Sequence, residues 1–244
     1  MNTKHILLTS ALVVSALAFT SCEDFFDTSS KKDLNTETAY SNLESAEMAL
    51  VGCYDGWQRT ISDEGVGMYL LAEFASEQAF AGLGLSDAKN NNVIDQFNLG
   101  IAPSYNDIFN VDWQNYYKAI FRCNQLIVQE DNIDWAGDIK AQGRVMGEAH
   151  AIRGILYFDL VRMFGDVPLL TAPSEENIPR SPASDVYQLI FEDFKYAIEH
   201  IPADAYPLDN NDTNDGRITK YAAEALMARA YLYHTGYYGA EHPS

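Results

Sequence analysis

Gln96, Phe97, Asn98 and Tyr105 fall within one long stretch, Ala81 to Asn106, that carries no clear periodic pattern. They combine flat aromatic faces with side-chain amides. That pairing suits a sugar, whose apolar ring face stacks on an arene while its hydroxyls take hydrogen bonds. Loops this long are uncommon in compact domains and are often functional. The acids offer a different chemistry. Glu148, Arg153, Asp159 and Arg162 share one expected helix, and a glycosidase needs two carboxylates. With 35 acids in the chain, however, such pairs arise by chance. Asp159 and Arg162, three apart, are expected to pair on the helix surface. There is no G-x-S-x-G elbow, Walker loop, H-E-x-x-H or dinucleotide fingerprint. The residues therefore point to binding rather than to an enzyme.

Cys22 carries a third chemistry. Lys4 precedes an apolar run from Ile6 to Phe19, which leads into Thr20-Ser21-Cys22. The run is shorter than the roughly 20 residues of a spanning helix, so it reads as a secretory signal, residues 1–21. Small residues before a cysteine form a lipobox, in which the thiol takes a diacylglycerol. Phe19 stands where Leu is usual. One acyl chain anchors marginally, but two or three hold a protein firmly on a membrane. Cys22 is thus the expected lipid anchor, and the polar segment 22–40 reads as its tether.

No cofactor or metal is expected. The five histidines are scattered, and the three cysteines have no C-x-x-C spacing. Asp209 to Gly216 is rich in oxygen ligands, but an EF-hand with Gly216 sixth would need Glu where Ala222 stands; the stretch reads as an Asx-rich loop. Cys53 and Cys123 would sit on the oxidising side after export. Each lies on the apolar stripe of an expected helix, so both are expected as buried free thiols.

The 244 residues include 16 Lys and Arg against 35 Asp and Glu, a formal charge of -19. Such a surface repels phosphate backbones and argues against a nucleic-acid partner. With 47% hydrophobic residues the chain can build a core. The length fits one or two domains.

The elements that must position these residues read as helices. The first opens at a Ser41–Glu44 capping box and stripes Ala46, Leu50, Cys53, Tyr54 and Trp57 on one face. A second covers Met68 to Phe80, a third Ile108 to Glu130 and a fourth Ile139 to Phe164, closed by Gly165. The fifth runs Asp185 to Ile201. The sixth runs from Thr219 to about His234 and ends at Gly236, and its Ala222, Ala225 and Ala228 would allow close helix approach. Trp57, Trp113 and Tyr157 read as core. Phe194, Ala197 and Pro202 fit the second helix of a tetratricopeptide unit, so the fold expected for 41–244 is all-α, a tetratricopeptide-like helical repeat.

Four segments together resemble one family. They are CEDFFD from Cys22, WQNYYKAIFRCN from Trp113, GEAHAIRGILYFDLVRMFGDVPLL from Gly147 and GRITKYAAEALMARAYLYHTG from Gly216. The chain resembles the amino-terminal half of the SusD/RagB family of Bacteroidetes outer-membrane lipoproteins. Members are roughly twice this length, and much of their ligand surface lies in the other half. The resemblance implies a tetratricopeptide-like α-helical fold and surface binding of glycans, sometimes peptides. It also implies a partner, a SusC-like TonB-dependent transporter, and delivery of nutrient without cleavage. Glu77 stands where the family often has Ser-Asp near its ligand surface, which adds it to Gln96, Phe97, Asn98 and Tyr105. The alternative is a lipid-anchored helical scaffold with no ligand of its own.

Overall fold

In the computed structural model the described residues are 40–62, 66–76, 78–82, 89–98, 100, 107–174, 176–206 and 216–239. The helices among them are α1 (Leu43–Ser62), α2 (Gly67–Ala75), α3 (Lys89–Asp95), α4 (Asp107–Ile127), α5 (Ile139–Phe164), α6 (Ala183–His200) and α7 (Lys220–Tyr238). A 3-10 turn, Glu130–Asn132, precedes α5. The β features among the described residues are two isolated bridges, Asn42 with Asp134 and Val167 with Ser181. All of these residues belong to the unit Ala39–Ser244. The leader, Cys22 and the tether up to residue 39 lie outside the described residues, as does most of the Asp209–Gly216 loop.

α5 is the spine. Sixteen of its 26 residues are buried, including Met146, Ile152, Leu156, Tyr157 and Leu160. A helix apolar on most sides must be enclosed, and α1, α4, α6 and α7 all touch it. Its ends are where the sequence put them. Asp138 caps the start, its side chain accepting from the Ala141 N–H, and Gly165 ends it at φ 68° with its N–H on the Val161 carbonyl.

α6 lies antiparallel on α5, and glycines set the spacing. A Cβ on Gly143 would stand 2.5 Å from the His200 carbonyl oxygen, and one on Gly147 2.5 Å from Ile201 Cγ1. One on Gly154 would stand 3.1 Å from the Phe194 ring. Phe194 and Ala197 are fully buried, as the repeat reading requires. On the other side α1 and α4 pair antiparallel, with Gly56 against Ala119. Cys53 and Cys123 face the same seam as fully buried free thiols, and burial pushes the Cys123 thiol up. α7 packs antiparallel on α6 through Tyr187 against His234 and Tyr238. The result is a row of stacked antiparallel helices, with each fully buried large side chain contributing about 1.5–3 kcal/mol.

Four expectations need correction. The capping box of α1 is one residue on from Ser41 and Glu44: the Asn42 N–H donates to Ser45 Oγ and the Ser45 N–H to Asn42 Oδ1, both at 3.0 Å. Glu44 carries no short oxygen on its Cβ, whereas Ser45 does. The second helix stops at Ala75 rather than Phe80, because Ser76 turns back onto the Glu73 carbonyl. The stretch 81–106 holds α3, whose three asparagines hide its helical pattern. α7 runs past Gly236 to a Gly239 cap, and Ala225 and Ala228 point to solvent; its close contacts with the core come from Ala223 and Ala230.

Candidate ligand-binding site

α2 and α3 build a small platform beside the main core. Val66 and Ile94 are its buried centre, with Leu71, Phe74 and Phe109 packed around them. Asp112 of α4 ties it down. Its two carboxylate oxygens accept from the Val66 N–H at 3.0 Å and the Gly67 N–H at 2.9 Å, satisfying donors that α2 leaves unpaired. Burial holds the Asp112 carboxyl above its ordinary range despite these bonds. Asp112 shares the buried stripe of Tyr116, Ala119 and Cys123, and an acid on such a stripe was the signal that it serves a buried partner.

The platform ends in the turn that carries the candidate residues. The Asn98 N–H donates to the Val93 carbonyl and the Phe97 N–H to the Ile94 carbonyl. This double bond pattern closes a helix with one residue in the left-handed region, a place usually given to glycine. Here Phe97 occupies it at φ 50°, and its side chain is 78% exposed. A non-glycine residue held there costs about 1–2 kcal/mol. An apolar ring facing water gains nothing in the fold to offset that cost. Gln96 and Asn98 are exposed on either side, and Asn98 Oδ1 accepts from the Gly100 N–H at 2.9 Å. The structure therefore brings Gln96, Phe97 and Asn98 together on one turn. Glu77 and Tyr105 lie outside the described residues. Among the described residues no group of three or more His, Cys, Asp or Glu is placed to hold a metal ion. No helix among them is long and apolar enough to cross a membrane.

The remaining polar residues singled out in the sequence are framework. Arg153 and Asp193 form a buried bidentate pair, and Arg153 Nη1 also donates to Asn124 Oδ1 at 2.8 Å. His150 Nδ1 lies 2.6 Å from Asp193 Oδ1. Tyr157 OH accepts from the Leu170 N–H and donates to the Leu170 carbonyl, at 2.7 and 3.0 Å. Tyr117 OH donates to the Pro168 carbonyl and Asn124 Nδ2 to the Leu170 carbonyl. The Val-Pro-Leu-Leu segment after α5 is thus strapped down by side chains. Glu148 is fully buried and accepts from Tyr54 OH at 2.6 Å and Tyr206 OH at 2.5 Å. Tyr54 OH in turn accepts from the Ile218 N–H, which fixes the approach to α7. Asp159 and Arg162 do pair, but both side chains are mostly buried rather than on the surface, and Tyr116 OH donates to Asp159 as well. Trp57 and Trp113 pack half-buried against the core, and Tyr157 lies fully within it.

Residues 24–232 match the profile of the family described as "Starch-binding associating with outer membrane", SusD-like. The chain belongs to the SusD-like family. SusD-like protein P38 of Formosa agariphila is 24% identical over 97% of the chain and 44% of its own length. A SusD homolog from Bacteroides thetaiotaomicron shares the fold at a TM-score of 0.63 and 26% identity, over 87% of this chain and 40% of that one. Surface glycan-binding protein A from Bacteroides fluxus aligns at a TM-score of 0.66 and 22% identity, over 80% and 41%. The chain spans less than half the length of these SusD-like relatives, in keeping with the expected amino-terminal half. Its fold is the tetratricopeptide-like all-α fold of the SusD-like family.

Proposed function

We propose that this chain is part of a lipid-anchored outer-membrane protein that binds glycans at the cell surface. It presents them to a SusC-like TonB-dependent transporter and does not cut them. The observation that carries the binding part is Phe97, an exposed ring kept in a costly backbone conformation between two exposed amides. Strain of this kind persists where function needs it. Family membership supports the sugar as ligand and the outer membrane as the place. Cys22 would carry the lipid, and Glu77 and Tyr105 would extend the ligand surface.

The test is binding of the mature protein to a panel of neutral polysaccharides by affinity electrophoresis and calorimetry, repeated with Phe97→Ala. Retardation lost in Phe97→Ala, with an unchanged melting curve, supports the reading. Equal retardation of both proteins refutes the role of the turn. A pull-down of the lipidated protein from outer membranes tests the transporter, and recovery without a large β-barrel counts against it.

The scaffold reading has one observation in its favour. The outward face of α7 carries Tyr221, Ala225, Ala228, Leu232 and Gly236 at helical spacing, and Leu232 is 69% exposed. Saturable protein partners with no glycan uptake would favour that reading.

A further inference from the structure

A second cleft, far along the chain from Phe97, opens where α7 stands off from α5. It holds about 360 Å³ and is lined by Trp57, Phe158, Arg162, Arg217, Leu226 and Arg229, among others. That volume lies in the range of small-ligand pockets. Its charge is at odds with the rest of the molecule. The chain has 16 basic residues against 35 acids, yet three arginines line this one cleft. The acid among its lining residues is Asp159, already taken by Arg162 and Tyr116.

Arg217 is not fully used by the protein. Arg217 Nη1 is buried with no acceptor within hydrogen-bond reach among the described residues; Glu148 Oε2, with which it pairs, is 3.6 Å away. Buried donors of this kind are rare in native folds and call for a partner. The Arg217 guanidinium lies over the Tyr54 ring, 4.9 Å from its centroid, which holds the plane in place. Arg229 is exposed midway along α7 on the opposite wall, beside Tyr233. Arg162 is fixed over the Phe158 ring at 4.0 Å. A planar guanidinium held by an arene presents its donors as a fork for an oxyanion. Trp57 supplies a ring face beside them. On its other side Arg162 lies 5.1 Å from the Tyr233 ring and lines a separate cleft of about 430 Å³.

We propose that this cleft binds an acidic saccharide, its carboxylate or sulfate held by Arg217 and Arg229 and its ring by Trp57. The saccharide part rests on the glycan reading above; the charge part stands on the arginines alone. The net charge of -19 does not forbid it, because fields from the far surface are screened within about 8 Å at physiological salt.

The test uses the full chain in calorimetric titrations with a galacturonate tetramer, its carboxyl-reduced neutral counterpart, and inorganic sulfate. The expected result is saturable binding of the acidic tetramer, at least tenfold weaker in Arg229→Gln and at least tenfold tighter than binding of the neutral counterpart. Because Arg229 is exposed, its substitution leaves the fold intact, which a melting curve checks. Equal binding of acidic and neutral tetramers, insensitive to Arg229→Gln but lost in Phe97→Ala, would overturn this proposal while leaving the glycan reading standing. Sulfate binding as tightly as the tetramer would overturn the saccharide part. No binding of any probe by the folded protein would overturn all of it.

Discussion

Arg153 on α5 holds Asp193 on α6 through two parallel hydrogen bonds, Nε to Oδ2 at 2.9 Å and Nη2 to Oδ1 at 2.7 Å. Both side chains are almost wholly out of water. Desolvation raises the cost of leaving either charge alone, so removing one partner costs about 3–5 kcal/mol. Arg153→Met is expected to lower the unfolding free energy measured in urea by that amount. The double substitution Arg153→Met with Asp193→Leu should recover most of the loss. Equal losses in the single and double variants would show that the pair is not the source.

Two glycines in different helices should respond with opposite signs to alanine. Gly143 faces the His200 carbonyl, which as backbone cannot move aside, so Gly143→Ala is expected to cost about 1–3 kcal/mol. Gly52 sits mid-helix in α1 with open space around it, so Gly52→Ala should stabilise by about 0.5–1 kcal/mol. Thermal denaturation of the two variants side by side reads both.

Stability should rise as the solution is made mildly acidic. Burial holds the carboxyls of Glu148, Asp112 and Asp159 above their ordinary range. Each then keeps its proton in the fold at a pH where the unfolded chain has released it. The unfolded state binds fewer protons in that interval, so stability falls as pH climbs through it and is regained on the way down. Asp55 and Asp204 act oppositely. Hydrogen bonds from Arg122 and from Lys140 hold them below the usual value, and their contribution disappears only when pH falls through that lower range. A melting series carried down from neutral pH should therefore climb, and turn down only in stronger acid. Glu148→Gln is expected to flatten the climb; an unchanged slope would assign it elsewhere.

Phe97→Gly should separate stability from binding. Glycine takes φ 50° without penalty, so the variant is expected to gain about 1 kcal/mol while losing its ring. A more stable protein that no longer retards on polysaccharide is the expected outcome. A less stable one would mean that the ring packs against something in the fold.

The spine was legible because Gly165 closes it and because Met146, Ala149, Leu156, Tyr157 and Leu160, all buried, recur at helical spacing before it. The Phe194, Ala197, Pro202 spacing likewise gave the repeat pairing. α3 was not legible, since Asn90, Asn91 and Asn92 are poor helix formers and tertiary contacts through Val93 and Ile94 decide its state. Gln96, Phe97 and Asn98 were singled out by residue type, and the backbone strain at Phe97 left no mark in the sequence. The three arginines could not be grouped beforehand, because Arg162, Arg217 and Arg229 meet only once α7 has folded back along α5.

The strap after α5 changes how the array should come apart. In a linear repeat protein each unit touches only its neighbours and can fray from an end. Here one short non-helical segment is gripped by Tyr117 and Asn124 of α4 and by Tyr157 of α5, and its Val167 carbonyl accepts from the Ser181 N–H just ahead of α6. Loosening any of these three helices releases hydrogen bonds of the other two. They should exchange their amide hydrogens as a single cooperative block, with fraying confined to α7 and to the α2–α3 platform.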